Sequence, residues 1–555
     1  MINKIFEKLI KYRKDLIIFF AFWIIFGCLS LTIMHFPYYD WFNYHYYIGY
    51  AFVNDRYGID FMPANYRSYF VPYLDAIQYY VLNLFNNHVK AFIFFENWDN
   101  ALAMLLLYKI SNYIFKNNQK LKDYVAGWTL LYIIYAPIVI LMLEFSMTDV
   151  KIACIILTAF YILIKKLFEK NNLKYIFISG LLLGCAAALK LTAFTYCITV
   201  FLAILFLRKR ISSPFKTLGI YCLGVIFSFS VIALPWYYKI YTHFDNPLFP
   251  YFNNIFHSSF TNNTPLIDKD FAHLKPRNLL ELIIFPIMTS MNHKFGTDEF
   301  VFDPRYTIAF IAILIILPTL IKNRKNEYYL NIIKTNHLLL IIYFSIISYY
   351  INTAIFGTYR YIFSTYLTLA LLVFIALYYI CKTFTYKKFV FFSILLILCV
   401  SINTKIEKSN IFKDLPNNKI VSVKDMKIED DSYVLIANFG SSFVIPYQNK
   451  NAHYIIAPMK LPPQKNLPWY LFDIVFSAKN LASNYTNSRL SNILTSNKKV
   501  YLIIIKIDLK SKNLFEEGLD YYSNNTRNIQ NCQDMNVKIY GIKYNPIILC
   551  EYNKI

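Results

Sequence analysis

The chain is poor in charge, poorer still in acids, and lacks the cysteine and histidine spacings that hold metals. Only 16% of its 555 residues are charged and 57% are apolar. With a mean hydropathy of +0.38, that scarcity excludes an ordinary soluble domain of this length and makes a lipid bilayer the solvent. Acids number 33 against 56 basic residues, for a formal net charge of +23. The excess does not call for nucleic acid, because Lys, Asn, Ile, Phe and Tyr are all abundant, as AT-rich coding sequence produces. Where the positive charges fall is more informative. The nine cysteines show no metal-type pairing. Cys28, Cys154, Cys185, Cys197, Cys222, Cys381 and Cys399 lie in or beside apolar stretches. Cys532 and Cys550 lie in a polar tail, where export would let them form a disulfide, with two buried thiols as the alternative. No small-residue cleavage site follows the first apolar stretch, Leu16 to Met34, so it reads as a retained span. Internal repeats and low-complexity linkers are absent from the sequence.

What is present is a series of apolar stretches long enough for a hydrocarbon core about 30 Å thick. They run 16–34, 92–115, 124–143, 149–164, 175–190, 191–207, 217–236, 306–321, 336–354, 361–380 and 389–403, which makes about eleven transmembrane helices. Place the N-terminus, with Lys4, Lys8, Lys11, Arg13 and Lys14, in the cytoplasm and let each span reverse the side. The inward loops then carry Lys116, Lys120 and Lys122; Lys165, Lys166, Lys170 and Lys174; Arg208, Lys209, Arg210 and Lys216; Lys322, Arg324, Lys325 and Lys334; Lys382, Lys387 and Lys388. All are basic, while the outward turns near Glu144 to Asp149 and Phe356 to Arg360 are much poorer in positive charge. Counting 68–88 as a span would invert every later loop. It holds Pro72, Asp75 and Gln78 among aromatic residues, as an interfacial helix does.

The expected architecture is a polytopic α-helical membrane protein with a small C-terminal extracytoplasmic α/β domain. Residues 1–403 form the transmembrane domain, with 35–91 and 237–303 as long outward loops bearing surface helices, and 404–555 form the outer domain. Within the latter, Ser432 to Ala437, His453 to Ala457 and Val500 to Ile507 read as strands and Trp469 to Ala482 as a helix.

Ionisable residues at span edges are costly and therefore functional candidates, and on this topology they gather on the outer side. Asp40 follows the first span, Glu144 and Asp149 occupy the turn before the fourth, and Lys190 ends the fifth. Arg305 opens the eighth and Arg360 the tenth. A carboxylate there can act as general base and the cations can neutralise a phosphate. Each has a plainer alternative: an interfacial carboxylate for Asp40, a helix N-cap beside Thr148 for Asp149, a snorkelling chain for Lys190, and salt bridges for Arg305 and Arg360. His45 and His243 lack ligand spacing and read as structural. No metal site has the necessary ligand pattern, and no cofactor is indicated.

The outward Asp after the first span, the long first loop, the acidic turn at the fourth span and the external α/β domain together resemble the GT-C superfamily of glycosyltransferases. The segment DWFNYHYYIGYAFVNDRYGIDFMPA at Asp40 to Ala64, followed by SYFVPYLDAIQYY, looks like a bacterial subgroup of membrane proteins related to that superfamily. GLLLGCAAALKLTA (Gly180 to Ala193), DNPLFPYFNNIF (Asp245 to Phe256) and TYRY (Thr358 to Tyr361) resemble stretches that recur in such proteins. The resemblance covers residues 1–400. It implies a bacterial cytoplasmic-membrane enzyme, N-terminus inside and C-terminal domain periplasmic or extracellular, that uses a polyprenyl-phosphate-linked sugar donor and a glycan, lipid or protein acceptor. It further implies inverting transfer with Asp40 as base and Arg360, Lys190 and Arg305 on the leaving phosphate. Asp149 and Glu144 would orient hydroxyls, and Trp41, Tyr44 and His45 would line the substrate loop. Where many relatives carry an acidic pair in the first loop, this chain has Asp40-Trp41, which argues against a metal there. Two other classes compete. A flippase for lipid-linked glycans needs polar residues at mid-membrane, which these spans lack; an O-antigen ligase or polymerase would lack the early aspartate loop.

Overall fold

The computed structural model describes residues 2–33, 40–85, 88–115, 119–143, 148–170, 172–261, 263, 274–291, 301–322, 334–381, 386–406, 421–436, 439–456, 489–490, 492–494, 496–505, 529–539, 542–543 and 547–552. Helix occupies every apolar stretch named above. Among the described residues, four helical segments are long and apolar enough to cross a membrane: Arg13–Thr32, Pro214–Phe244, Thr335–Ile355 and Tyr359–Ile380. Leu173–Leu189, Leu191–Phe206, Leu279–Met291 and Arg305–Pro318 are shorter apolar helices. The stretch 92–115 is broken at Asn97 into Val89–Glu96 and Trp98–Ile114, and 124–143 is broken before Pro137, where proline cannot supply the next helical N–H.

The chain folds as two compact units, neither continuous in sequence. The first, residues 1–35, 93–232 and 268–411, is helical. Asp149–Lys166 packs on both Leu173–Leu189 and Trp98–Ile114, and Phe363–Ile380 packs on Arg305–Lys322. One crossing is backbone to backbone. A Cβ on Gly180 would lie 2.4 Å from the Tyr221 carbonyl oxygen, and one on Gly184 would lie 2.3 Å from that of Val225. On the facing helix, a Cβ on Gly224 would lie 2.5 Å from the Phe177 carbonyl oxygen. Gly180 and Gly184 form the small-xxx-small pattern that lets membrane helices approach closely where no hydrophobic force drives them together.

The second unit gathers residues 36–92, 233–267 and 412–555. Its larger sheet runs in the order His453–Ile456, Tyr433–Ile436, Val500–Ile505, Ile547–Tyr552, Ile529–Asp534. The first three strands are parallel and the last two add antiparallel. The three expected strands are present, and Trp469 to Ala482 lies outside the described residues. Cys532 and Cys550, on neighbouring strands, form a disulfide. The edge strand at 453–456 is covered by the first loop: the Phe61 N–H donates to the Tyr454 carbonyl (2.9 Å) and the Ile456 N–H to the Phe61 carbonyl (2.9 Å). This pairing removes the open edge a sheet must otherwise protect.

Candidate functional site

In the helical unit three of the expected ionisable residues meet. Asp149 is the first residue of its helix, where a carboxylate is favoured by the helix dipole. It is 6% exposed, and its Oδ1 accepts a 2.6 Å hydrogen bond from Lys190 Nζ. Lys190 reaches it because Leu173–Leu189 ends there: the Lys190 backbone turns extended (φ −147°, ψ 110°) and the chain enters a short 3₁₀ turn. Arg360 lies in the 3₁₀ turn Tyr359–Ile362 with Nε 4.0 Å from Asp149 Oδ2. The Tyr361 ring takes both cations on its face, Lys190 at 5.3 Å and Arg360 at 5.4 Å. Asp149 Oδ2 itself accepts no hydrogen bond. A small cleft opens here, lined by Asp149, Thr192, Tyr196, Arg360, Tyr361 and Ser364 with Ile152, Ile156 and Phe363 as apolar wall. Tyr196 steadies the turn from below, donating to the Tyr361 carbonyl (2.9 Å) and meeting Thr365 Oγ1 at 3.1 Å.

The N-cap alternative for Asp149 is not what the side chain does, since it faces Lys190, and Thr148 makes no side-chain cap bond. Lys190 is bonded rather than only extended toward an interface. Arg305 is held elsewhere. It is bonded to Asp303 (2.9 Å), Thr404 (2.9 Å) and the Tyr132 carbonyl (3.2 Å), and Asp303 also accepts from Tyr359 (3.1 Å) and Tyr366 (2.9 Å). Through Tyr359 this network holds the residue next to Arg360, and Arg305 does not line the cavity. Glu144 lies outside the described residues. A second buried cluster escaped the sequence reading: Lys151 is bonded to Glu96 (2.7 Å) and lies 3.5 Å from Asp99. Its only signal is an i, i+3 acid pair, which is common on helices.

Asp40 belongs to the other unit. It precedes a π-helical turn, Trp41–His45, a geometry that is rare and concentrated at functional sites. The turn is buried throughout: Asp40 is 9% exposed, Trp41 2%, Asn43 1%, Tyr44 7% and His45 8%. Trp41 stacks on Tyr46 at 4.6 Å. His45 Nδ1 pairs with Asp75 Oδ1 at 2.8 Å, so the lone histidine is a structural anchor for the Tyr73–Leu84 helix. Arg67, unnoticed in the sequence, lies over the rings of Tyr44 (5.4 Å) and Tyr66 (4.8 Å). The tail holds the turn from its other side, as Ser442 Oγ donates to the carbonyls of Asn43 (2.7 Å) and Phe42 (3.3 Å). Tyr46 and Tyr447 share a 2.8 Å hydroxyl bond, and burial pushes the Tyr46 phenol up, keeping it protonated. Among the described residues no three His, Cys, Asp or Glu side chains gather as metal ligands would.

No protein-family model matches the chain, and no curated protein matches it. Among solved structures, the chain is similar to ArnT from Cupriavidus metallidurans bound to undecaprenyl phosphate, with a TM-score of 0.50 and 12% identity over 97% of each chain. It is also similar to the apo oligosaccharyltransferase of Archaeoglobus fulgidus, with a TM-score of 0.48 and 12% identity over 96% of this chain and 76% of that one. At such identity the likeness to ArnT is one of fold, and it runs nearly end to end: the chain is a membrane protein that shares the fold of that structure.

Proposed function

We propose that the chain is an inverting glycosyltransferase that moves a sugar from a polyprenyl-phosphate donor to an acceptor hydroxyl at the outer face of the membrane. The observation that carries this reading is the cleft lined by Asp149 and Arg360 over an apolar wall, with Lys190 bonded to the same Asp149. Arg360, buried, and Lys190, half-buried, offer two cations beside Asp149, suited to a phosphodiester, and apolar lining suits the lipid attached to it. The fold shared with a protein whose structure holds undecaprenyl phosphate supports the same donor class.

In the reaction, the acceptor oxygen attacks the anomeric carbon as the bond from that carbon to the phosphate oxygen breaks. The acceptor proton passes to the Asp40 carboxylate, and the polyprenyl phosphate leaves with the electron pair, inverting the anomeric centre. Charge grows on the phosphate as it departs, so Arg360 and Lys190 stabilise the transition state more than the ground state. Asp149 orients the Lys190 ammonium, and Arg305, through Asp303 and Tyr359, supports the turn bearing Arg360. Trp41 and Tyr44 offer ring faces to the sugar. The acceptor class is a glycan, lipid or protein hydroxyl.

The test is Asp40→Asn, which keeps shape and removes the base. Surface glycans and glycolipids of parent and variant cells are compared by mass spectrometry, with protein level and topology checked. Loss of one sugar at normal protein level is expected; an unchanged glycan profile refutes the reading.

A further inference from the structure

Asn43 is the odd residue of the turn that follows Asp40. It is 1% exposed, yet neither its Nδ2 nor its Oδ1 has a hydrogen-bond partner. Its neighbours are all satisfied: His45 by Asp75, Tyr46 by Tyr447 (2.8 Å) and Tyr47 by Asp60 (2.8 Å). Its own carbonyl is satisfied too, by Ser442. The backbone at Asn43 is thus fixed while the amide is left with a donor and an acceptor unused. Other buried atoms lack partners, among them Tyr50 Oη and Asn100 Oδ1, but only Asn43 among the described residues has both sides of an amide unmatched. Burying such a group costs free energy, and a native chain that retains one needs a reason.

We infer that the Asn43 amide is a substrate-contacting group for a sugar hydroxyl, working in the same turn as Asp40. The ligand's chemistry follows from what is missing. A phosphate would engage donors only and leave Oδ1 unmatched, and a carboxylate would do the same. A carbohydrate hydroxyl both donates and accepts, so one hydroxyl or a neighbouring pair satisfies both amide atoms at once. Asn43 lies in the π-helical turn that Asp40 caps, so the two belong to one local element. This assignment rests on the reading of Asp40 as base.

The amide's two possible duties have opposite signatures. If it is kept for a ligand, replacing it by an apolar side chain of the same branched shape removes an unmatched buried group and leaves the free protein as stable or more so. If it serves the fold, through an ordered water for instance, the same change destabilises it. The experiment therefore pairs Asn43→Leu and Asn43→Ala with Asp40→Asn in the full chain. It reads the thermal unfolding midpoint of each purified protein and the glycan product in cells. The expected result for Asn43→Leu is a midpoint equal to or above the parent's with at least a tenfold loss of product, and for Asn43→Ala the same loss of product. A lowered midpoint for Asn43→Leu, or undiminished product with either variant, overturns the assignment. Asp40→Asn discriminates the failures: if it abolishes product while the Asn43 variants retain it, only the Asn43 inference falls, whereas if it too retains product the reading of the reaction falls. A binding arm separates donor from acceptor, comparing farnesyl phosphate with a panel of farnesyl-phosphate hexoses and pentoses. Loss in Asn43→Leu of the extra affinity conferred by the sugar assigns the amide to the donor. Retention of it, with product still lost, assigns it to the acceptor.

Discussion

Arg360 and Lys190 both carry one positive charge beside Asp149, yet they are not equivalent. Arg360 presents a planar fork whose Cζ lies 5.4 Å from the Tyr361 ring centroid, and a fork can bind two phosphate oxygens at once; lysine offers a point charge. Arg360→Lys is therefore expected to retain the fold but lose much of the rate. The loss approaches the ~10²–10³-fold of removing one transition-state donor, and it should fall on kcat more than on KM. A raised KM with kcat unchanged would mean that Arg360 binds substrate and transition state alike. These residues were legible in the sequence because ionisable side chains at the ends of apolar stretches stand out against their surroundings. Asn43 and Arg67 were not, since an amide and an arginine in a polar loop are unremarkable until burial makes them expensive.

Lys190 is held in place by the helix that ends there, and that helix is positioned by the absence of side chains at Gly180 and Gly184. A Leu at position 184 would need room already taken by the Val225 carbonyl and Ser228 Oγ, each 2.3 Å from the new Cβ. Gly184→Leu should therefore push the two helices apart, at a cost of about 1–3 kcal/mol or more, and displace Lys190 from Asp149. The expected outcome is a lowered unfolding midpoint together with reduced product. Gly127, with no neighbour within 4 Å of a built Cβ, serves as control, and Gly127→Ala should change neither. The recurrent sequence GLLLGCAAALKLTA drew attention to this helix, but the facing partner, Gly224, is 40 positions away from Gly184 and nothing local links them. Helix existence was readable from hydropathy alone, because apolar length is a local property; the breaks at Asn97 and before Pro137 were not separated from the spans that contain them.

The division into two units crosses the linear order of the chain, with the tail from 412 folding together with residues 36–92 and 233–267. Within this unit, the tail is tied to residues 36–92 by Arg56 and Asp60. Asp60 accepts from Arg56 Nε (2.9 Å), Tyr47 (2.8 Å) and the Tyr454 N–H (3.0 Å), while Arg56 reaches the carbonyls of Lys450 and Ala452 in the tail. Burial raises the Asp60 carboxyl above its ordinary range, and the bonds from Arg56 pull it back. Breaking one side of a buried pair leaves an uncompensated charge, so Arg56→Met should cost about 3–5 kcal/mol, and the double variant Arg56→Met/Asp60→Leu should recover much of it. Proteolysis of the tail, increased in the single variant and restored toward normal in the double, would show it; equal sensitivity in all three would refute the coupling.

Composition and hydropathy were enough to establish a bilayer solvent, the helical stretches, the polar tail with its three strands, and a set of ionisable residues at helix ends, because each depends on residues close together in the chain. Which charges become partners was settled by packing. Lys190 goes to Asp149 and Arg305 to Asp303, the tail strand is closed by Phe61, and Asn43 is buried with its amide unmatched. Those outcomes turn on distances of a few ångströms between segments tens to hundreds of residues apart, where a polar group gains or loses its partner according to geometry that no local pattern encodes.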